Sequence, residues 1–202
     1  MAEPLRPDEA AFVGRALAFA LERHAGQTRK GRDVPYASHP VRVAGLVLEH
    51  GGDAAQLAIA LLHDVIEDCG VSDAELEARF GAEVARAVRA LSDVLEGDTP
   101  GQKAPWRERK TRFVARLANI DARIRLVAAC DKLDNLSELV ADLETEGPAT
   151  LERFSGKPRQ LRWYYEEVSR ALCAELPPRL RAELDDRLGL LRRFVPEASA
   201  EP

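Results

Sequence analysis

Two apolar runs in this 202-residue chain end, without transition, in ionisable side chains. Leu57-Ala58-Ile59-Ala60-Leu61-Leu62 leads into His63-Asp64, with Glu67 and Asp68 one turn further on. Ile124-Arg125-Leu126-Val127-Ala128-Ala129-Cys130 leads into Asp131, followed by Lys132, Leu133, Asp134 and Asn135. A buried carboxylate without a partner costs several kcal/mol, so an acid persists at the end of a core segment only beside a compensating charge. Any fold that buries both runs must supply that charge. A divalent cation is the simplest source, and His39 upstream could complete its coordination.

The pattern around these runs is helical. Aromatic residues make up 5% of the chain and β-branched residues seldom alternate with polar ones, so strand signals are scarce. Segments rich in Ala, Leu, Glu and Arg repeat apolar residues at spacings of three and four. The spacing predicts a first helix over 8–24 with Asp8 as its cap and Phe12, Ala16, Phe19 and Ala20 inward. A Gly-fenced loop over 26–35 follows, then a helix capped by Ser38 with His39 and Pro40 in its first turn, ending near Gly51-Gly52. Asp53 caps a third helix that carries His63-Asp64, and Ser72 with Glu75 opens a short one. After the turn at Phe80-Gly81 a helix runs to about Asp93, and 96–105 reads as a loop. A basic helix around Arg107, Lys110 and Leu117 precedes a long one over 121–143, broken by Gly147-Pro148. The last two helices are expected at 158–176 and Pro178–Phe194. The reading is an all-α, single-domain helical bundle over residues 1–196, with 197–202 as a disordered tail.

Bulk properties narrow the function. With 46% hydrophobic and 31% charged residues the chain belongs with ordinary globular proteins. A net charge of −5 argues against nucleic acid and anionic membranes as partners. No stretch approaches the roughly 18 apolar residues of a membrane span. The N-terminus lacks a basic segment leading into an apolar one, so no secretory signal is expected. Cys69, Cys130 and Cys173 form no CxxC pair, which suits a reducing compartment, and the cytoplasm is the expected location.

His39, His63, Asp64 and Asp131 offer two imidazoles and two carboxylates, a mixture that suits Mn²⁺, Fe²⁺ or Zn²⁺ better than Ca²⁺. Glu67 and Asp68 sit four residues beyond His63 and Asp64, where they could orient a water and take its proton. Each residue has a plainer alternative. A His-Asp dipeptide arises by chance, Asp131 could mark a helix surfacing, and Asp68 could face solvent before Cys69-Gly70. His24 and His50 read as capping or surface residues, and Arg32 as a solvated loop cation. What favours the metal is the coincidence of His39, His63-Asp64-x-x-Glu67-Asp68 and Asp131, each beside an apolar run or a helix cap.

The ordered motifs resemble a known family. His24-Ala25-Gly26-Gln27-Thr28-Arg29-Lys30-Gly31, Pro35-Tyr36-Ala37-Ser38-His39-Pro40, Leu61-Leu62-His63-Asp64-Val65-Ile66-Glu67-Asp68, Arg109-Lys110 and Asp131-Lys132-Leu133-Asp134-Asn135-Leu136 are similar to stretches of the HD superfamily of metal-dependent phosphohydrolases. The closer likeness is to its RelA/SpoT-type (p)ppGpp hydrolase branch, in particular the single-domain small alarmone hydrolases. The resemblance implies Mn²⁺-dependent hydrolysis of the 3′-pyrophosphate of ppGpp or pppGpp to GDP or GTP and pyrophosphate. It implies His39, His63, Asp64 and Asp131 as metal ligands and Glu67 and Asp68 as the groups that activate water. Arg29, Lys30, Asn135 and Tyr164 would contact the nucleotide, with the Arg29 guanidinium stacked on guanine. No counterpart of the synthetase half is recognised, so degradation alone is expected.

The family pattern is usually Ala-Asp-Lys-Leu-x-Asn; here Cys130 precedes the Asp and Asp134 occupies the open position. The segment over 159–165 fits the family's Arg-x-x-x-Tyr-Phe helix in two registers, so Tyr164 is one of two choices. Two other functions fit the same residues: a phosphatase acting on the ribose phosphate of another nucleotide such as NADPH, and a silent alarmone-binding sensor. The sensor would dock a partner through the basic helix or a Leu180-Leu184-Leu188-Leu191 stripe, which more often packs a core. Oligomeric state is not legible.

Overall fold

The helix that carries the first apolar run is hydrophobic on every side, and a helix of that kind belongs at the centre of a bundle. In a computed structural model describing residues 4–94, 104–154, 157–173 and 175–196, that helix, α3 (Ala54–Leu62), is buried along nearly its whole length. Around it pack α1 (Pro7–Arg23), α2 (Ser38–Glu49), α6 (Ala82–Leu91) and α8 (Ala122–Glu146). Each large aliphatic side chain so buried contributes about 2 kcal/mol, the term that holds two ionisable residues at the helix end. The remaining elements are α4 (Val65–Cys69), α5 (Asp73–Phe80), α7 (Trp106–Leu117), a 3-10 segment (Pro148–Arg153), α9 (Pro158–Leu172) and α10 (Pro178–Phe194). Among the described residues the backbone is helix, turn and one isolated antiparallel bridge, Thr28 with Pro35. The all-α expectation holds.

Local chemistry explains where the elements begin. Asp53 accepts from the Gln56 backbone N–H at 3.0 Å, and the Gln56 amide oxygen accepts from Asp53 N at 3.0 Å, a reciprocal cap. The Gln56 amide also donates to the Arg123 carbonyl at 2.8 Å, joining the start of α3 to that of α8. Ser72 caps α5 by accepting from Glu75 N at 3.2 Å. α10 begins and ends where its proline and its Leu180-Leu184-Leu188-Leu191 stripe predict, and that stripe is buried, packed mainly on α8 and α9.

Several boundaries differ from expectation, among them the end of α8, which runs past 143 to Glu146. α1 begins at Pro7, with Arg6 rather than Asp8 at the cap, because proline's fixed φ and missing N–H suit the first helical position. Ser38 lies inside α2 instead of capping it, and its hydroxyl is buried without a hydrogen-bond partner among the described residues. α6 stops at Leu91, where Ser92 turns extended, and leaves Asp93 buried beyond the helix. α9 stops at Leu172, short of 176. Most of the loop expected at 96–105 and the tail at 197–202 lie outside the described residues. Among the described residues no helix is long and apolar enough to cross a membrane.

Candidate metal centre and adjoining cleft

Four side chains from three places in the bundle meet at the open end of α3. His39 comes from the first turn of α2, His63 and Asp64 from the end of α3, and Asp131 from α8. His39 Nε2 lies 3.1 Å from His63 Nε2, 3.2 Å from Asp131 Oδ1 and 3.5 Å from Asp64 Oδ2. His63 Nε2 lies 3.0 Å from Asp64 Oδ2 and 3.6 Å from Asp131 Oδ1. Donors about 2.1 Å from a shared ion stand roughly 3–3.5 Å apart, so the spacing suits a common cation. The other ring nitrogens are engaged outward: His63 Nδ1 lies 2.7 Å from the Ala60 carbonyl and His39 Nδ1 lies 2.6 Å from Asp134 Oδ2. With each proton on Nδ1, both Nε2 lone pairs face inward beside two carboxylates. That donor set fits a divalent ion: His39, His63 and Asp131 form a group that could hold one, and Asp64 Oδ2 stands within reach of both imidazoles.

The electrostatics keep the acids ionised. Burial alone would raise the Asp131 carboxyl, but Lys132, with Nζ 2.5 Å from Asp131 Oδ2, outweighs it and holds the group well below the ordinary carboxylate range. Burial likewise opposes ionisation of Asp64; a protonated His63 overcomes it, and a bound cation would take over that role with the imidazole neutral. Asp64 Oδ2 also accepts from the Tyr36 hydroxyl at 2.5 Å. Burial, with Asp64 and Asp68 nearby, pushes that phenol far above its usual value, so it stays a donor. Nothing periodic in the sequence singles out Tyr36.

His63 and Asp64 do not lie on one continuous helix, as the sequence suggests. α3 ends at Leu62, and α4 restarts at Val65. The cause is local: His63 Nδ1 donates to the Ala60 carbonyl, the acceptor that the next turn would otherwise use for the Asp64 N–H. The two acids that follow are neighbours on α4 and face different ways. Glu67 is half-buried and lines a cleft, whereas Asp68 is exposed and outside its lining.

That cleft, of about 230 Å³, abuts the centre along α8 and is lined by Lys30, Glu67, Arg109, Lys110, Lys132, Asn135, Tyr164 and Tyr165, with Trp106, Phe154 and Leu161. Asn135 joins the two spaces, donating to Asp131 Oδ1 at 2.5 Å. Both candidate tyrosines reach the cleft, and the Tyr164 hydroxyl is buried with no hydrogen-bond partner among the described residues. Asp93, missed from sequence, organises the cationic wall: Arg109 NH1 lies 2.6 and 2.7 Å from its two oxygens, and Lys110 Nζ lies 2.6 Å from Oδ2.

Arg29 stands elsewhere than expected. It is buried, its Nε donates to Glu138 Oε2 at 2.8 Å and its NH2 to Asn135 Oδ1 at 3.2 Å, and it is not among the residues lining the cleft. Its guanidinium faces the Tyr36 ring at 5.6 Å, so the stacking partner is internal. The bridge at Thr28 and Pro35 pins this loop, and it is Lys30 that reaches the cleft.

The model of the HD domain family matches residues 16–155, more than half of the chain. The chain belongs to the HD domain family. Its matched region includes all four donors and ends before Tyr164. This HD domain is 35% identical over 134 residues to a guanosine-3′,5′-bis(diphosphate) 3′-pyrophosphohydrolase of Xenopus tropicalis, covering 65% of this chain and 71% of that protein. It is 38% identical over 130 residues to a probable enzyme of the same name from Synechocystis, covering 64% of this chain and 17% of that protein. It therefore spans under a fifth of the length of the long bacterial relatives it matches. Among solved structures it is similar to one described as a metazoan ortholog of SpoT that hydrolyses ppGpp, with a TM-score of 0.72, 26% identity, and coverage of 94% of this chain and 97% of that one. A Listeria monocytogenes protein aligns with a TM-score of 0.65 and 25% identity, covering 78% of this HD domain and 98% of that chain.

Proposed function

We propose that this HD domain is a Mn²⁺-dependent hydrolase of the 3′-pyrophosphate of ppGpp and pppGpp, with the ion held by His39, His63, Asp64 and Asp131. The observation that carries the proposal is the continuity of a four-donor centre with a cleft bearing Lys30, Arg109, Lys110 and Lys132. Such a cleft suits a polyanion and would be wasted on a neutral substrate. The names of its relatives supply the guanosine bis(diphosphate). Fe²⁺ or Zn²⁺ would satisfy the same donors.

In the reaction, water attacks the phosphorus bonded to ribose O3′, the P–O3′ bond breaks, and O3′ leaves to be protonated as the hydroxyl. Pyrophosphate and GDP or GTP are released. A divalent cation in the centre supplies charge neutralisation at the phosphate and makes water more acidic. Glu67, the one non-donor acid lining the cleft among the described residues, takes the proton from the attacking water. Asp68 acts from outside the cleft, sharing the Tyr36 hydroxyl with Asp64. Lys110 and Arg109, fixed by Asp93, and Lys132 offset the phosphate charge, which is most of what phosphoryl transfer asks of a protein. The Asn135 amide and the Tyr164 hydroxyl hydrogen-bond the substrate, and Lys30 adds a further cation to the cleft lining. Arg29 orients Asn135 instead of touching the nucleotide. A cytoplasmic location accords with three free thiols, Cys69, Cys130 and Cys173.

The test is a rate comparison on the full chain with Mn²⁺, using ppGpp, pppGpp and NADPH. Release of GDP and pyrophosphate from ppGpp at the highest kcat/KM is expected. Faster dephosphorylation of NADPH would overturn the substrate assignment, and nucleotide binding without product would make the protein a sensor.

A further inference from the structure

Asp134 is neither one of the four donors nor part of the cleft lining, yet its side chain is only 7% exposed, directly behind His39. Its Oδ2 lies 2.6 Å from His39 Nδ1. Arg42 grips both of its oxygens, Nε to Oδ1 at 2.6 Å and NH2 to Oδ2 at 3.1 Å, and reaches Glu138 Oε1 at 3.2 Å. In the family motif this is the open position before the Asn, so the resemblance gives it no role. α8 thus supplies both Asp131, a donor, and, three residues on, the group supporting the donor opposite.

A neutral imidazole carries one proton and can present its lone pair from either nitrogen. An ionised carboxylate only accepts, so with Asp134 at Nδ1 the proton stays there and the lone pair stays on Nε2. The same contact fixes the ring's rotation, since turning it would break a 2.6 Å bond. Arg42 keeps the carboxylate in place from the other side, and because its own side chain is 43% exposed it links the buried support to the surface.

We infer that Asp134, clamped by Arg42, is a positioning residue that orients His39 toward the ion. The inference rests on the proposed four-donor centre, and the experiment separates the two. Mn²⁺ alone is titrated calorimetrically into the full chain and into D131A, D134A, D134N and R42A, with thermal unfolding recorded for each. Wild type is expected to bind Mn²⁺ and D131A to lose it. D134A should bind about 10–100-fold more weakly, the usual scale for removing a ligand's support. D134N keeps an oxygen facing Nδ1 and should recover to within about tenfold of wild type, while R42A should weaken binding less than D134A. A Tm lowered in D134A with wild-type Mn²⁺ affinity would reduce Asp134 to a structural ion pair and overturn the inference, leaving the centre intact. No Mn²⁺ binding by wild type would instead sink the centre, and the inference with it. Should D134A not fold, wild-type affinity in both D134N and R42A overturns the inference.

Discussion

At the scale of single residues, the centre divides the acids by what each faces. Glu67 lines the cleft and is not a donor, so its loss should be felt in turnover and not in metal binding. E67Q is expected to lower kcat on the order of a hundredfold, the scale of lost acid–base assistance, with Mn²⁺ affinity unchanged. Steady-state rates beside a metal titration check this, and full activity in E67Q would remove Glu67 from the mechanism. The convergence of His39, His63, Asp64 and Asp131 was legible because each is a polar group where an apolar one belongs: His63, Asp64 and Asp131 close greasy runs, and His39 opens a helix. Tyr36, Asp93 and Asp134 were not, because each acts through a partner remote in the chain and a lone residue leaves no periodic trace. The surroundings of Arg29 were illegible for the same reason. Expected to stack on guanine, the arginine pairs instead with Glu138, which lies more than a hundred residues away and leaves no mark on the loop sequence.

At the scale of elements, Asp93 joins the end of α6 to α7. Burial would raise its carboxyl, but Lys110 and then Arg109 overcome burial and hold it well below the ordinary range. A folded-state value below the unfolded one, near 3.9, means the unfolded chain binds more protons in acid, so this contribution to stability is full above about pH 4 and lost as pH falls. D93A should destabilise the fold by about 3 kcal/mol at pH 7, the scale for removing one partner of a buried pair, and the gap from wild type should narrow by pH 3.5. Urea unfolding at both pH values measures it; a gap that widens in acid would contradict the sign. The helices themselves were largely legible from apolar spacing, and α10 was read to the residue because a proline opens it. The interruption between α3 and α4 was not, since it comes from a side chain bonding to its own helix instead of from glycine or proline. The overrun of α9 has a different origin: Leu176 continues the apolar spacing, although Glu175 adopts a left-handed backbone that no helix accommodates.

At the scale of the molecule, a net charge of −5 coexists with a cleft that gathers four cationic residues. A highly charged anion must be drawn past an acidic exterior to a local basic field, which salt screens within about 8–10 Å. Raising NaCl from roughly 50 to 500 mM should therefore increase KM for ppGpp on the order of tenfold with little change in kcat, read from initial rates. An unchanged KM would mean that Lys30, Arg109, Lys110 and Lys132 do not draw the substrate in. Composition announced the acidity, while the basic hollow appears only once the chain is folded. Along α8 a candidate metal donor (Asp131), the carboxylate behind His39 (Asp134), a cleft amide (Asn135) and loop anchors (Glu138 and Asp142, holding Arg29 and Arg32) follow at intervals of one to four residues. These parts share one rigid rod and so keep phase with one another. An insertion of one residue ahead of Asp131 would swing them all by about 100° together, which means that catalysis, support and loop placement are inherited as a single module and cannot drift apart by small steps.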